Sequence, residues 1–319
     1  MVGGVSGINR KLAPKKIKHL VVIGGPTASG KTALSVALAQ RLSTSVISAD
    51  SRQFYKELSI GTAKPTEEEM QGVPHHFVDS HFLNDEVSAA TFEKLALQKL
   101  DELFTRTDFV IVSGGSGMFI DALCVGLDDI PTSRELRDQL SKKLEQKGLE
   151  PLLEELKVND PAFFEVVDRQ NPARILRALE VIHLTGKPFS HFRKQTPPPR
   201  PFNVHRFVID HPREILYDRI NQRVDIMMKN GLEDEAKSVE HLRGLTSLNT
   251  VGYTELFAYF DGDISREEAV EKIKQNTRRY AKRQLTWFRR HEEAHWIPFG
   301  DQEVMVKAIL DKLPKEILE

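Results

Sequence analysis

Apolar runs and helical stretches alternate along the chain, and their spacing predicts its elements. The run HLVVIG at 19–24 predicts a strand that leads into glycines, and residues 32–42 carry apolar side chains at helical spacing, giving strand, loop, helix. Residues 46–48 predict a second strand ending at Asp50, and FVIVS at 109–113 a third ending at Gly114 and Gly115, with a helix over 91–104 between them. Strands without polar alternation are buried on both faces. Interleaved with helices, they predict an α/β fold, a parallel sheet flanked by helices.

From 132 to about 186 the pattern is helical throughout, punctuated at Gly148, Asn159-Asp160-Pro161 and Asn171-Pro172, which predicts a helical insertion domain over 128–199. The run TPPPRP at 196–201 cannot continue a helix or enter a central strand, so it predicts a stiff connector and a domain boundary. A strand over 205–210 and helices over 212–230, 232–242 and 265–291 then return the chain to the core. The core domain is therefore expected over 19–127 and 200–319, after a flexible leader at 1–18. That leader is basic and lacks the apolar centre of a signal peptide, and no later segment approaches ~20 apolar residues, so no membrane contact is expected.

Composition changes this picture in two places. Lysine and arginine number 45 against 46 acidic residues, so no global field draws the chain to nucleic acid, and any basic surface must be local. A single cysteine, Cys124, excludes an internal disulfide and a cysteine-based zinc cluster and fits a cytoplasmic protein. His75 and His76 lack the spacing of a metal site.

The strongest chemical signal is Gly25-Pro26-Thr27-Ala28-Ser29-Gly30-Lys31-Thr32, a G-x4-G-K-[ST] loop directly after a strand and before a helix. It makes the expected fold P-loop NTPase-like. Glycines let backbone N–H groups face one concavity, the helix N-terminus adds partial positive charge, and Lys31 adds a full one, so a diphosphate or triphosphate is the natural guest. Thr32 can present its hydroxyl to a Mg2+ on the phosphates, directly or through water. The apolar strand at 109–112 ends in Ser-Gly-Gly instead of Asp, which weakens the reading as an ordinary ATPase. Asp50, at the carboxyl end of a strand, faces the same guest and has two jobs open to it: holding Mg2+ through water, or taking a proton from a nucleophile.

With the motifs SADSRQFY at 48–55, IGTAKPT at 60–66, PHHFVD at 74–79, SGGSGMFIDAL at 113–123, NPARILRALEVIHLTGKP at 171–188, RINQRVDIMMKNGLEDE at 219–235, VGYTE at 251–255 and AKRQLTWFRR at 281–290, the chain resembles the bacterial-type tRNA dimethylallyltransferases, the tRNA isopentenyltransferase (IPP transferase) family. The resemblance spans nearly the whole chain beyond the leader. It implies a P-loop used for dimethylallyl diphosphate, with the dimethylallyl group passed to N6 of the adenine next to the anticodon of tRNA and diphosphate released. It also implies that Asp50 is the general base, that Lys31, Thr32 and Mg2+ bind the diphosphate, and that Arg223 neutralises the leaving group. By the same resemblance Asp50, Ser51, Arg52 and Gln53 contact the target base. Ser116; Ala173, Arg174, Ile175, Leu176 and Arg177; Asn249, Thr250, Val251, Gly252, Tyr253 and Thr254; and Lys282, Arg283, Gln284, Thr286, Trp287 and Arg289 contact tRNA. The implied partners are the tRNA anticodon stem-loop and dimethylallyl diphosphate, met by a monomer.

The basic helix fits an RNA partner, and the resemblance tips its reading that way. Between 272 and 290 the basic residues Lys272, Lys274, Arg278, Arg279, Lys282, Arg283, Arg289 and Arg290 stand without an acid among them, and helical spacing groups Arg278, Arg279, Lys282 and Arg283 on one side. A solvated amphipathic helix pairing with upstream glutamates is the plainer reading of the same residues. Trp287 and Tyr253 are candidate stacking aromatics, although an aromatic in an apolar helix is more often core. Three other classes share parts of the pattern: an adenylate isopentenyltransferase acting on free nucleotide, a small-molecule kinase, and an RNA-binding nucleotide switch.

Overall fold

The computed structural model describes residues 17–128, 130–193 and 199–315. The leader expected over 1–18 lies outside the described residues except for its last two positions, and Lys18 there already belongs to the first strand. Residues 194–198, which include the first half of the proline-rich connector, also lie outside them.

In chain order the elements are β1 (Lys18–Gly24), α1 (Lys31–Arg41), β2 (Val46–Ser48), α2 (Glu67–Met70), β3 (His75–His76), α3 (Ala89–Leu103), β4 (Phe109–Gly114) and α4 (Gly117–Cys124). There follow α5 (Arg134–Lys147), α6 (Glu150–Asn159), α7 (Pro161–Val166), α8 (Pro172–Thr185) and α9 (Phe189–Phe192). The last part comprises β5 (Phe202–Asp210), α10 (Arg213–Lys229), α11 (Leu232–Val239), α12 (Tyr253–Phe260), α13 (Arg266–Phe288), β6 (His295–Pro298) and α14 (Gln302–Leu310).

The sheet is parallel throughout, in the order β3-β2-β4-β1-β5-β6. Its centre, β1, is buried on both faces because its side chains divide strictly by parity. Leu20 and Val22 join Val110, Val112 and Val208 in a core shared with α3, α4 and α12, while Val21 and Ile23 join Ile111, Phe207 and Ile209 in one shared with α1 and α14. The unbroken apolar run from Leu20 to Ile23 is what a sheet covered on both sides demands. Two strands were not expected: β3, which is two residues long and polar, and β6, which interrupts what reads as a helical C-terminus.

Two compact units divide the chain: residues up to Cys124 together with those from Arg200, and Val125–Pro199. The second unit has its own core, with Leu140, Leu152, Leu156, Phe163, Ile175 and Leu179 buried between α5, α6, α7 and α8. Its helices start where sequence caps them. Asp160 accepts from Phe163 N at 3.0 Å, Asn171 from Arg174 N at 3.3 Å, and prolines occupy the first turns of α7 and α8.

At the amino edge of the sheet, His19 Nδ1 and His205 Nε2 lie 2.9 Å apart on neighbouring strands, and burial lowers the pKa of each imidazole. A group whose folded pKa is depressed leaves stability intact above its unfolded value, about 6.5, and loses it as pH falls toward the folded value. The melting temperature is therefore expected to fall between pH 7 and pH 5, and to fall less steeply in His205→Gln. Parallel melting curves across that range would show that the pair is not a source of acid sensitivity.

Candidate active site

The loop after β1 takes its shape from backbone turns and from side chains that engage its carbonyls. Ala28 (φ 62°) and Gly30 (φ 89°) adopt left-handed conformations, which curl the chain between β1 and α1. Lys31 Nζ donates to the Pro26 carbonyl at 2.7 Å, Arg219 Nε to that of Ala28 at 2.8 Å, and His211 Nε2 to that of Ser29 at 2.9 Å. The Phe299 ring stacks on His211 at 3.9 Å. With these carbonyls occupied, the loop offers donors to a ligand. Among the described residues no side chain caps α1, so its first-turn N–H groups also await an acceptor. The fully buried Ser29 hydroxyl has no partner among the described residues.

The charges around this cradle act on one another. Burial lowers the pKa of Lys31 to about 8, with Asp50 opposing the shift and Arg223 adding to it. Lys31 is thus mostly protonated at neutral pH, and a bound anion would hold its proton more firmly. Burial also lowers the pKa of Arg223, helped by Arg219 and opposed by Glu69. Lys31, Asp50 and Arg223, drawn from α1, the end of β2 and α10, therefore form one electrostatic cluster at the carboxyl edge of the sheet.

Asp50 is only partly buried, and its Oδ1 accepts from Arg52 N at 3.0 Å, which fixes the turn after β2. Ser51 N donates to Ser116 Oγ at 3.0 Å, and Ser116 N to the Ala49 carbonyl at 3.2 Å, so the ends of β2 and β4 are stitched together beside the carboxylate. Gln53 supports this edge from within, accepting from Ser48 Oγ at 3.1 Å and donating to the Ala63 carbonyl at 3.2 Å.

Helix α13 crosses the same edge. Ser265 and Glu268 form a capping box at its start. Gln284 is buried, and its amide is engaged at both ends: Oε1 accepts from Thr27 N at 2.9 Å, and Nε2 donates to the Gly115 carbonyl at 3.0 Å. The helix is thereby fastened to the phosphate loop and to the end of β4 together. Beside this link lies a cavity of about 290 Å³ lined by Ser51, residues 115–119, Tyr280, Arg283, Gln284 and Trp287. Trp287 Nε1 donates to Asp121 Oδ2 at 2.7 Å, and Asp121 also pairs with the buried Arg206 and with His291.

The structure thus brings together Gly25 to Thr32, Asp50, Ser51, Ser116, Arg223, Gln284 and Trp287. The other expected contacts lie in varied surroundings. Tyr253 is wholly buried with its hydroxyl 2.6 Å from Glu235, which also accepts from the backbone N–H groups of Ser59, Ile60 and Gly61, so its ring packs the core and offers no stacking face. Gly252 is buried, and its N–H is taken by Glu255. The Gln284 side chain is an internal tether. Arg278 is half-buried and donates to Asn221 Oδ1 at 2.5 Å, while Lys282, Arg283, Thr286 and Arg289 are exposed. Asn249 and Thr254 are exposed, with Thr250 and Val251 partly so.

In the second unit Ala173 and Arg174 are exposed, whereas Ile175 is a core residue and Leu176 packs against that core. Arg177 pairs with the buried Glu180 at 3.0 Å and donates to the carbonyls of Pro131 and Ile130, so its charge serves the unit itself. Sequence reasoning passed over Tyr280, Asp121, His211 and Arg219. Only Tyr280 left a local signal: with Arg283, Gln284 and Trp287 it follows the i, i+3, i+4, i+7 stripe of one helix face.

A family model described as IPP transferase matches residues 53–291. The tRNA dimethylallyltransferase 1 of Bacteroides thetaiotaomicron is 49% identical over 288 residues, covering 90% of this chain and 94% of that protein. The tRNA dimethylallyltransferase of Cytophaga hutchinsonii is 50% identical over 285 residues, covering 89% and 94%. Among solved structures, the full-length tRNA isopentenylpyrophosphate transferase of Bacillus halodurans superposes with a TM-score of 0.68 at 38% identity, covering 93% of this chain and 95% of that one.

The Gln284 link makes a prediction of its own. Gln284→Met leaves the Thr27 N–H and the Gly115 carbonyl without their buried partner, and affinity for inorganic pyrophosphate, read by calorimetry, is expected to fall about tenfold, the scale of one such hydrogen bond. Unchanged affinity would mean that the loop holds its shape without the helix.

Proposed function

The chain belongs to the IPP transferase family, and from that premise we propose that it transfers the dimethylallyl group of dimethylallyl diphosphate to N6 of the adenine next to the anticodon in tRNA, releasing diphosphate. The observation that carries the mechanism is the clustering of Lys31, Asp50 and Arg223 where the phosphate loop meets an apolar cavity.

The loop N–H groups, with Lys31 and Arg223, bind the diphosphate. Their charges count most as the allylic C1–O bond breaks and negative charge moves onto the leaving oxygens, so stabilisation grows toward the transition state. N6 of adenine forms the new bond to C1. Its lone pair is delocalised into the ring, and Asp50 accepts one of its protons as that bond forms. The residues present fit Mg2+. Thr32, which follows Lys31 at the start of α1, and Asp50, whose charge reaches Lys31, are the oxygen donors that would hold an ion shared with substrate phosphates. Bound there, Mg2+ would neutralise charge on the diphosphate.

Lys282, Arg283, Thr286 and Arg289, on the exposed side of α13, with Arg52, Asn249 and Thr254, are the groups of the first unit proposed to meet the RNA backbone. Ala173 and Arg174 are their counterparts in the second. The target adenine lies in a loop and is already unpaired, which lowers the cost of drawing it out. Among the described residues no helix is long and apolar enough to cross a membrane. A cytoplasmic, monomeric enzyme is the setting proposed, with 128–199 as its insertion domain.

Purified protein with Mg2+ and labelled dimethylallyl diphosphate should label unmodified tRNA and leave AMP and ATP unlabelled; label in free nucleotide alone would remove the RNA substrate from this proposal. Asp50→Ala is expected to slow single-turnover transfer by roughly 10²-fold or more while tRNA still binds. An unaltered rate would take the base role from Asp50. Lys282→Ala should weaken tRNA binding and reduce the slope of log affinity against log salt by about one. The same slope in both proteins would place Lys282 outside the interface.

A further inference from the structure

We propose that His211 is a positioning residue of the phosphate loop: its neutral imidazole, capped by Phe299, holds the Ser29 carbonyl and so leaves the Gly30 N–H for the diphosphate. The inference rests on the transfer reading above and gives a part in it to two side chains, just past the ends of β5 and β6, that the reaction alone does not call for.

One peptide bond sets the geometry. His211 Nε2 donates to the Ser29 carbonyl at 2.9 Å. In a planar trans peptide the carbonyl and the following N–H point to opposite sides, so the bond that holds the Ser29 oxygen also fixes the direction of the Gly30 N–H. The N–H groups before it are already engaged, Thr27 N by the Gln284 amide at 2.9 Å and Ser29 N by the Pro26 carbonyl at 3.3 Å. The Gly30 N–H has no acceptor among the described residues, and Gly30 stands at the N-terminus of α1, where an anion is favoured. Glycine tolerates several backbone directions, so the grip on the Ser29 carbonyl selects one of them.

The surroundings of the imidazole suit it to this task. A carbonyl only accepts, so Nε2 carries the hydrogen, and Nδ1 is buried without a partner among the described residues. A second proton on Nδ1 would place an unpaired donor and a charge on a residue that is 7% exposed and feels the charges of Arg219 and Lys31. Burial lowers the pKa of His211; the Ser29 bond and Asp210 oppose that shift, and Arg219 and Lys31 add to it. The imidazole therefore holds the loop as a neutral donor.

Phe299 completes the cap. Its ring lies 3.9 Å from the imidazole at an interplanar angle of 25°, and its edge is 3.6 Å from the position a Gly30 Cβ would take. The Arg219 guanidinium, whose Nε holds the Ala28 carbonyl, stands 5.1 Å from the centre of the same ring. Phe299 N donates to the carbonyl of Asp210, the residue before His211, at 2.8 Å, so ring and imidazole are fixed to each other through the backbone as well. Partly exposed and stacked on a buried imidazole, the ring separates the Ser29 bond from water that would compete for it.

The test is affinity for inorganic pyrophosphate by calorimetry, with KM for dimethylallyl diphosphate and for tRNA measured on the same proteins. His211→Leu is expected to lower pyrophosphate affinity about tenfold and raise KM for dimethylallyl diphosphate in step, while KM for tRNA stays at the parent value. His211→Gln, whose amide N–H can replace Nε2 as donor to Ser29, should stay within about threefold of the parent. Phe299→Ala removes the cap at a partly exposed position and should lower affinity in the same direction, which keeps the test valid if His211→Leu does not fold. In 15N NMR spectra of histidine-labelled protein, the imidazole signal lost in His211→Gln should be that of a neutral Nε2–H tautomer. Parent affinity in folded His211→Leu and Phe299→Ala, equal losses in His211→Leu and His211→Gln, KM for tRNA rising in step, or an imidazolium signal would each overturn the inference. A parent protein that binds pyrophosphate and transfers nothing to tRNA would overturn the transfer reading instead, and the pyrophosphate affinities would still decide the role of His211.

Discussion

The two hydrogen bonds of Gln284 are the constraint on which the rest of the site depends. A P-loop is built from backbone, and its geometry is only as good as whatever fixes that backbone. Here the Thr27 N–H is held by a side chain 257 positions away in sequence, and the other end of the same amide holds the turn after β4. Because the Gln284 amide and the Gly115 carbonyl are buried and Thr27 is partly so, releasing either bond carries the cost of an unmade hydrogen bond. Helix α13 is therefore fastened to the loop after β1, and the exposed basic side chains on its outer face stand in fixed relation to that loop.

That arrangement follows from the sheet. With β1 at the centre and β4 and β5 on either side, the loop after β1, the carboxylate after β2, the Gly-Gly turn after β4 and His211 after β5 all emerge at one edge. In parallel sheets this edge is where ligands sit. The two cores on the faces of β1 leave its end no freedom to shift, and α10 and α13 pack beside it to deliver Arg219, Arg223 and Gln284. The loop has its carbonyls engaged by Lys31, Arg219 and His211, which suits the proposed role of presenting donors to a diphosphate.

What sequence could convey divides along locality. The phosphate loop, its flanking strand and helix, and Asp50 were legible because each is written within a few residues and needs no distant partner. The basic character of α13 was legible too, but its division between an outward charged face and an inward stripe of Tyr280, Gln284 and Trp287 depends on what the helix packs against. Tyr280 was hidden among arginines. Tyr253 reads as a stacking aromatic until Glu235, itself holding the turn at 59–61, claims its hydroxyl. β3 escaped because two histidines carry no strand periodicity, and β6 because four residues ending in proline leave little pattern between two helices.

The contrast between the two halves of the site carries chemical consequences. The cradle gathers Lys31, Arg223 and backbone donors, whose fields are strengthened by the low dielectric of their surroundings. The cavity beside it offers rings and a methionine, with its amide and indole hydrogen bonds already made and Arg283 as its one charged side chain. An allylic diphosphate has the same division within one molecule, a polyanion at one end and a hydrocarbon at the other, and the reacting carbon lies where the two meet. A carboxylate at that boundary serves both sides. It is close enough to Lys31 for electrostatic coupling and, being partly exposed, remains accessible to an amine arriving from solvent. In the proposed reaction, moving it deeper would raise the cost of its charge and moving it outward would take it from the reacting carbon, so the end of the short strand β2 is the place at which Asp50 could serve both needs.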